Sequence, residues 1–381
     1  MTLTINTCFG NRYATIKMEE TSTTQDVFER SREQLLMGEN SSDYSLYVNE
    51  IHDIGNKKIS EIKDNNSTFV FMFKKDMDAL FEFMNTITPS IVYETVQMPP
   101  NAHDFACKIQ MGIETFERHY DEELQAKIYS IIPFDLLDET DSDDEKVAKL
   151  SKWFKEDFFK FVRNLDCQRC GSKSTKEVGI SLPTFTEAEH LVNNVELFQC
   201  NECGAISRFP RYNSVSKLLE TRIGRCGEFA NVFTAILKTI GLTVRYVNDW
   251  TDHCWTEYWS DSQGRYIHVD PCENIIDKPL TYEKGWGKKL KWIVALTDYE
   301  CVDVTKKYTE NIEEVIQRRK LELNEAWAQK YISFKNKQMI SKLDEAERND
   351  ILEKQRKDEE SMLKPKNVKP EELRSRISGN E

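Results

Sequence analysis

Three residues in one chain order could carry chemistry here: Cys226, then His253, then Asp270. Cys226 sits in Gly224-Arg225-Cys226-Gly227-Glu228-Phe229-Ala230, a turn that delivers a thiol to the head of an apolar helical run stopping at Gly241. A helix N-terminus offers free N–H donors and partial positive charge, which favours a thiolate over a thiol. Flanking glycines leave the sulfur open to a substrate. A lone cysteine in such a place is more often a packed core residue. The odds change because Asp252-His253 and His268-Val269-Asp270 follow closely. Cysteine attacks an amide carbonyl, histidine protonates the leaving amine and later activates water, and aspartate orients the ring and stabilises the imidazolium.

Two histidines compete for that role. Asp261-Ser262-Gln263-Gly264 reads as a hairpin turn between strands over 253–259 and 265–270. A period of two places His253, Trp255 and Glu257 on one face, and Tyr266, His268 and Asp270 on one face of the partner strand. Either histidine could serve Cys226. His253 is preferred because it leaves Asp270 as the orienting group. Trp255 and Glu257 are candidate lining for a sugar or peptide subsite, although each alone is more often structural. Trp153 is a third candidate substrate contact, in Trp153-Phe154-Lys155-Glu156-Asp157-Phe158-Phe159, where aromatics at helical spacing usually mean core.

A second cluster points to a metal. Cys167-Gln168-Arg169-Cys170 and Cys200-Asn201-Glu202-Cys203 are two C-x-x-C knuckles, each followed by glycine. Two intervening residues let a turn aim both thiolates at one tetrahedral ion, and two knuckles fill four positions. One structural Zn2+ is expected, serving folding rather than catalysis because no position stays open for an activated water.

These groups need elements to position them. At 381 residues the chain can bury a sizeable core. A net charge of −13 argues against a nucleic-acid partner, and no apolar run is long enough to span a bilayer. The first residues lack the basic and apolar regions of a signal peptide, so the ten cysteines are expected in a reducing compartment as thiols or metal ligands. Residues 1–75 read as a small α+β module of hairpin, helix and strands, in the order of a ubiquitin-like domain. Residues 76–310 are expected to form the catalytic core, mostly helical up to Pro133, with the zinc module at 165–205. The acidic run Asp138–Glu145 reads as a solvated linker or a helix start. Residues 311–363 read as long exposed charged helices, and 364–381 as a flexible tail.

The assembled motifs resemble the cytosolic peptide:N-glycanases of the transglutaminase-like superfamily, from about Tyr120 to Arg318. The resemblance is carried by WFKEDFF (153–159), the two knuckles, RFPRYN (208–213), LLETRIGRCGEFAN (218–231), TDHCWTEYWS (251–260), HVDPCE (268–273) and GWGKKL (285–290). It implies an α+β papain/transglutaminase-like cysteine-hydrolase core with an inserted four-cysteine zinc module. It places nucleophile, histidine and aspartate on Cys226, His253 and Asp270, and zinc on Cys167, Cys170, Cys200 and Cys203. The implied reaction is hydrolysis of the amide joining an N-glycan's first GlcNAc to Asn, on unfolded glycoproteins bound for proteasomal degradation. Implied partners are N-glycosylated unfolded proteins and ubiquitin-receptor shuttle or proteasome-linked quality-control factors, and the implied location is the cytoplasm or nucleus. A thiol protease or transglutaminase would use the same triad, and a glycoprotein-binding scaffold is a further alternative. Two departures stand out. Residues 1–75 do not look like the N-terminal helical domain of many animal members, and Phe229 stands where Trp is commoner.

Overall fold

The computed structural model describes residues 2–10, 12–48, 51–52, 57–61, 68–77, 79–80, 99, 101–117, 121–364 and 368–377. The chain divides into two compact units, Met1–Thr88 with Val162–Asn213 and Pro89–Phe161 with Ser214–Glu381.

The first unit opens with a hairpin, β1 (Thr2–Phe9) and β2 (Arg12–Glu19), whose inward residues Ile5 and Ile16 face each other across the ladder. Helix α1 (Thr24–Leu35) follows, capped by Thr23 in a reciprocal box with Asp26. Strands β3 (Tyr44–Val48), β4 (Ile51–His52) and β5 (Thr68–Phe73) complete a sheet of order β2-β1-β5-β3-β4, with β1 and β5 parallel. Val27, Phe28 and Leu35 of α1 cover one face, against Ile5, Ile16 and Phe69. The other face is apolar as well and needs its own cover. Strands β6 (Thr175–Ser181), β7 (Val195–Cys200) and β8 (Ile206–Pro210) supply it, packing Val178, Val195 and Leu197 against Cys8, Tyr47 and Val70. The stretch 165–205, expected within the catalytic core, therefore groups with the N-terminal strands.

The second unit is built on a six-stranded antiparallel sheet. Its members are β9 (Val244–Asp249), β10 (His253–Ser260), β11 (Arg265–Asp270), β12 (Ile275–Ile276), β13 (Ile293–Leu296) and β14 (Cys301–Asp303), in the order β12-β11-β10-β9-β13-β14. Helix α2 (His103–Glu117) contributes Phe105, Ile109 and Ile113 to a core with Trp292, Val294 and Leu296. Helices α3 (Glu122–Tyr129), α4 (Asp143–Trp153), α5 (Val215–Thr221) and α6 (Cys226–Thr239) follow. Of the helical stretch expected before Pro133, residues 78, 81–98, 100 and 118–120 lie outside the described residues. The acidic run is a helix start: Ser142 and Glu145 form a capping box, and Asp144 accepts hydrogen bonds from Tyr258, Ser260 and Ser262.

The charged extension is not fully exposed: each helix buries one face. Helices α7 (Ile312–Lys320), α8 (Glu325–Ile340) and α9 (Glu345–Met362) pack into this unit, burying Val315, Tyr331, Ile332 and Met339. They bury charge too. Arg319 is 1 % exposed, paired with Asp303 and Glu325 and stacked 3.7 Å over Trp292. Asp358 is 1 % exposed and meets Arg245 Nη1 at 2.9 Å and Lys307 Nζ at 3.0 Å. Arg245 also takes both oxygens of Glu300, at 2.6 and 2.9 Å. The tail is ordered in part: Pro370–Leu373 makes a 3-10 turn on this unit, while 365–367 and 378–381 lie outside the described residues. No helix among the described residues is long and apolar enough to cross a membrane.

Removing one member of a buried ion network strands its partners. Asp358→Ala should therefore lower unfolding free energy by about 3 kcal/mol in urea titration, whereas Glu353→Ala on the exposed face of the same helix should change it little.

Candidate active site

The position of Cys226 is set by packing behind it. Arg225 is extended (φ −113°, ψ −164°) and donates its N–H to Glu228 Oε2 at 3.0 Å, which fixes the first turn of α6. A Cβ on Gly224 would lie 2.4 Å from Glu228 Cβ and 3.1 Å from the Phe159 ring, so only glycine fits. Phe229 packs edge-on against Phe159 (4.8 Å) and Phe154 (5.6 Å), and the WFKEDFF motif thus holds the helix head. Further along, Thr234 meets Thr256 of β10 at 2.8 Å and locks α6 to the sheet.

His253 begins β10 directly after Asp252, whose φ of +73° closes the tight turn from β9. Its ring is buried between Trp286 (4.9 Å), Tyr282 (5.2 Å) and Trp255 (5.9 Å). Nε2 lies 2.7 Å from Asp270 Oδ2 and donates to it. Nδ1 is buried and has no hydrogen-bond partner among the described residues. Asp270 is fully buried yet fully engaged. Oδ1 accepts the N–H groups of Cys272 (3.0 Å) and Glu273 (3.1 Å), and Oδ2 also accepts from Tyr282 Oη at 2.9 Å.

Electrostatics keeps this pair charged. Burial pushes the Asp270 carboxyl up, but the His253 charge and the donated hydrogen bonds outweigh it and bring it down to about 2. Burial likewise pushes His253 down, and Asp270 and the Cys226 sulfur overcome it, raising the imidazole to about 9. His268 differs. Its Nε2 is 2.7 Å from Tyr282 Oη and its Nδ1 accepts the Lys278 N–H at 3.4 Å, so both nitrogens are occupied within the protein. Burial takes it down to about 3. The shifts thus favour the charged form of His253, whose Nδ1 is left for the Cys226 side, and the neutral form of His268.

Two expected substrate contacts are corrected. Trp255 has no exposed surface: it stacks on Tyr282 at 4.3 Å and donates Nε1–H to Tyr308 Oη at 2.7 Å. Glu257 is fully buried, accepting from Tyr308 Oη at 2.6 Å and Lys307 Nζ at 2.8 Å. Both face the same side as His253, as the period of two demands, but that side is filled by core. Trp153 is half-buried and stacks on Phe158 at 4.8 Å. Tyr282 and the N–H groups of Cys272 and Glu273 were not anticipated. The available signal was that HVDPCE continues past its aspartate, since a turn after a buried carboxylate brings backbone donors onto it.

In the other unit Cys167, Cys170, Cys200 and Cys203 place their sulfurs within 4.8 Å of one another, with Cys167–Cys203 and Cys170–Cys200 each at 3.6 Å. A tetrahedral ion held by sulfurs at about 2.3 Å has edges of about 3.8 Å, so the four thiolates fit one metal ion. Gly171 (φ +74°) and Gly204 (φ +70°) let each knuckle turn back on itself.

Comparison with known proteins finds two family models and a set of curated relatives. A family model of the transglutaminase-like superfamily matches residues 177–271, and a Rad4 transglutaminase-like domain matches 242–359. Peptide-N(4)-(N-acetyl-beta-glucosaminyl)asparagine amidase of Gallus gallus is 42% identical over 259 residues, 68% of this chain and 40% of the relative. Over the matched residues the chain is similar to these amidases. The Homo sapiens protein of that name is 44% identical over 62% of this chain and 36% of its own length, and that of Saccharomyces cerevisiae 45% over 43% and 46%. The chain thus spans less than half the length of these relatives.

Three outcomes are expected from these two sites. In imidazole NMR titration His253 should protonate with a midpoint near pH 9, and His268 should stay neutral well below pH 5. The unfolded imidazoles titrate near 6.5. Stability from His253, complete below that value, is lost as pH rises through about 9, and stability tied to neutral His268 drains as pH falls from 6.5 towards 3. Cys200→Ser should abolish metal binding by elemental analysis and lower the melting temperature of the unit containing the knuckles, with wild type carrying one ion per chain.

Proposed function

We propose that this chain is an amidase that removes N-linked glycans by hydrolysing the GlcNAc–Asn amide, converting Asn to Asp. The observation that carries the reading is a charged His253–Asp270 pair with Nδ1 left open beside Cys226, in a homologue of proteins named for that reaction. Cys226 sulfur attacks the Asn side-chain carbonyl carbon, helped by the N–H groups at the head of α6. The His253 imidazolium gives its Nδ1 proton to the leaving nitrogen, and the sugar departs as a glycosylamine. The same nitrogen, now neutral, takes a proton from water as the oxygen attacks the aspartyl thioester. Thiolate leaves, Asp remains in the peptide, and imidazolium is restored. Asp270 keeps its charge throughout and holds the ring. No pair of opposed carboxylates is required, unlike in glycosidases.

The four-cysteine cluster is read as a structural zinc site: its four thiolates leave no coordination position for water, and its donor set suits zinc. The sheet order β2-β1-β5-β3-β4 with one helix after the first hairpin supports a ubiquitin-like reading of the N-terminal strands. Unfolded glycoproteins are the proposed substrates, because a side-chain carbonyl must approach sulfur to about 3–3.5 Å with its backbone and first sugar. A place in cytoplasmic or nuclear quality control, beside ubiquitin-receptor shuttle or proteasome-linked factors, follows from that substrate.

Mass spectrometry of a treated glycopeptide tests the reaction. Loss of glycan with Asn converted to Asp is expected from wild type, and Cys226→Ser or His253→Ala should reduce the rate about 10³-fold or more. Backbone cleavage would mark a thiol protease, cross-linking a transglutaminase, and no change a binding scaffold. Each would overturn the proposal. A denatured glycoprotein should react much faster than its native form, and equal rates would remove the unfolded-substrate reading.

A further inference from the structure

Residues 272–286 carry much of what surrounds the catalytic pair. Cys272 and Glu273 give their N–H groups to Asp270, Lys278 gives its N–H to His268, Tyr282 gives its hydroxyl to Asp270, and Trp286 faces the His253 ring. The segment has little regular structure to hold it. Its strand is two residues long, and Asn274 (φ +52°) and Asp277 (φ +53°) are in the left-handed region without being glycine. On one side it is tied by Ser151 to Asn274 Oδ1 at 3.0 Å and by Lys155 to the Cys272 carbonyl.

Residues 369–377 tie it on another. Glu372, 2 % exposed, accepts the Leu280 N–H at 2.9 Å. Arg374 Nη2 donates to the Glu273 carbonyl at 2.8 Å, and the Ile377 N–H donates to Glu273 Oε2 at 2.8 Å. Lys369 Nζ donates to the Asp277 carbonyl at 3.1 Å, and the Arg376 guanidinium sits 4.9 Å over the Trp286 ring. The approach is close enough that a Cβ on Gly285 would lie 2.4 Å from the Glu372 carbonyl oxygen and 2.5 Å from that of Arg374.

We propose that residues 369–377 form a strap over the active-site segment, in which Glu372, Arg374 and Arg376 are positioning residues for the His253–Asp270 pair. They act by fixing Glu273, Leu280 and Trp286, and through them the donors on Asp270 and the wall against His253. This inference rests on the proposed triad, but its physical test needs no substrate.

The test compares wild type with Glu372→Ala, Glu372→Gln, Arg374→Ala and Gly285→Ala in the full chain. The first readout is the titration midpoint of the His253 imidazole, whose titratable neighbours are Asp270, Cys226, Tyr282 and His268. With the strap released, Asp270 is no longer held fixed and dry against the ring, the contact that raises His253 is loosened and screened, and the midpoint should fall from near 9 towards the ordinary value of about 6.5. The second readout is kcat and KM on a glycopeptide, where kcat should fall about tenfold or more with KM little changed. Glu372→Gln keeps an oxygen for the Leu280 N–H and should recover most of both. Should Gly285→Ala fail to fold, Arg374→Ala, whose side chain is 31% exposed, carries the comparison. Folded variants with the wild-type midpoint and kcat would overturn the proposal. A wild type without amidase activity would refute the proposed reaction, and the titration would still decide the strap.

Discussion

The candidate active site depends on one buried carboxylate. Asp270 is out of water, where an ionised carboxyl is costly unless its oxygens are matched by donors. Here each oxygen has two: Cys272 and Glu273 N–H on Oδ1, His253 Nε2 and Tyr282 Oη on Oδ2. No capacity is left for water or a further cation. The consequence reaches His253, because a fixed negative charge 2.7 Å from Nε2 makes the imidazolium the stable form despite full burial. His268 is linked to the same carboxylate through Tyr282, but there burial outweighs the Asp270 charge and lowers the imidazole. Two histidines of similar burial thus have opposite charge states, decided by which one touches Asp270 directly.

A second buried network explains why the C-terminal helices belong to the same unit. Arg245 on β9 has no exposed surface and lies 3.4 Å over the Tyr266 ring. Its charge is answered by Glu300 and by Asp358 of α9, while Lys307 meets both Glu257 and Asp358. Such a network adds little or no net stability over an apolar replacement, but it is unforgiving of a missing member. It therefore specifies where α9 sits against the sheet. Glu257, on the strand that begins with His253, is committed to this scaffold and is unavailable to a substrate.

Much of the site was legible because its chemistry follows local rules. The C-x-x-C spacing brings thiolates together through a turn, a glycine-flanked cysteine before an apolar run marks a helix head, and the hairpin at 261–264 fixes which residues share a face. What failed was depth. A period of two states that His253, Trp255 and Glu257 share a side, but not whether that side meets solvent or other side chains. Tyr282, Tyr308 and Lys307 fill it, and all three come from later segments with no periodic link to the strand. The C-terminal helices misled for a related reason. Sparse apolar positions and many charges normally mark a solvated face, whereas Arg319, Lys335 and Asp358 are buried by pairing and stacking rather than by hydrophobicity. The grouping of the cysteine knuckles with the N-terminal strands was invisible because it depends on a sheet with two apolar faces, one covered by α1 and one by distant sequence.

The charge state of the pair bears on the order of chemical steps. With the imidazole raised to about 9 and Asp270 lowered to about 2, the pair is already charged across the range between them. In the proposed reaction the proton for the leaving nitrogen would then be in place before attack, on Nδ1, the ring nitrogen not bonded to Asp270. Tyr282 helps to keep it there: its hydroxyl holds Oδ2 of Asp270, and its ring packs 5.2 Å from His253 and 4.3 Å from Trp255. A ring fixed on that side and hydrogen-bonded through Nε2 can turn little without breaking the 2.7 Å contact to Asp270. The immobility of His253 and its charge therefore have the same cause, and neither can be altered without the other.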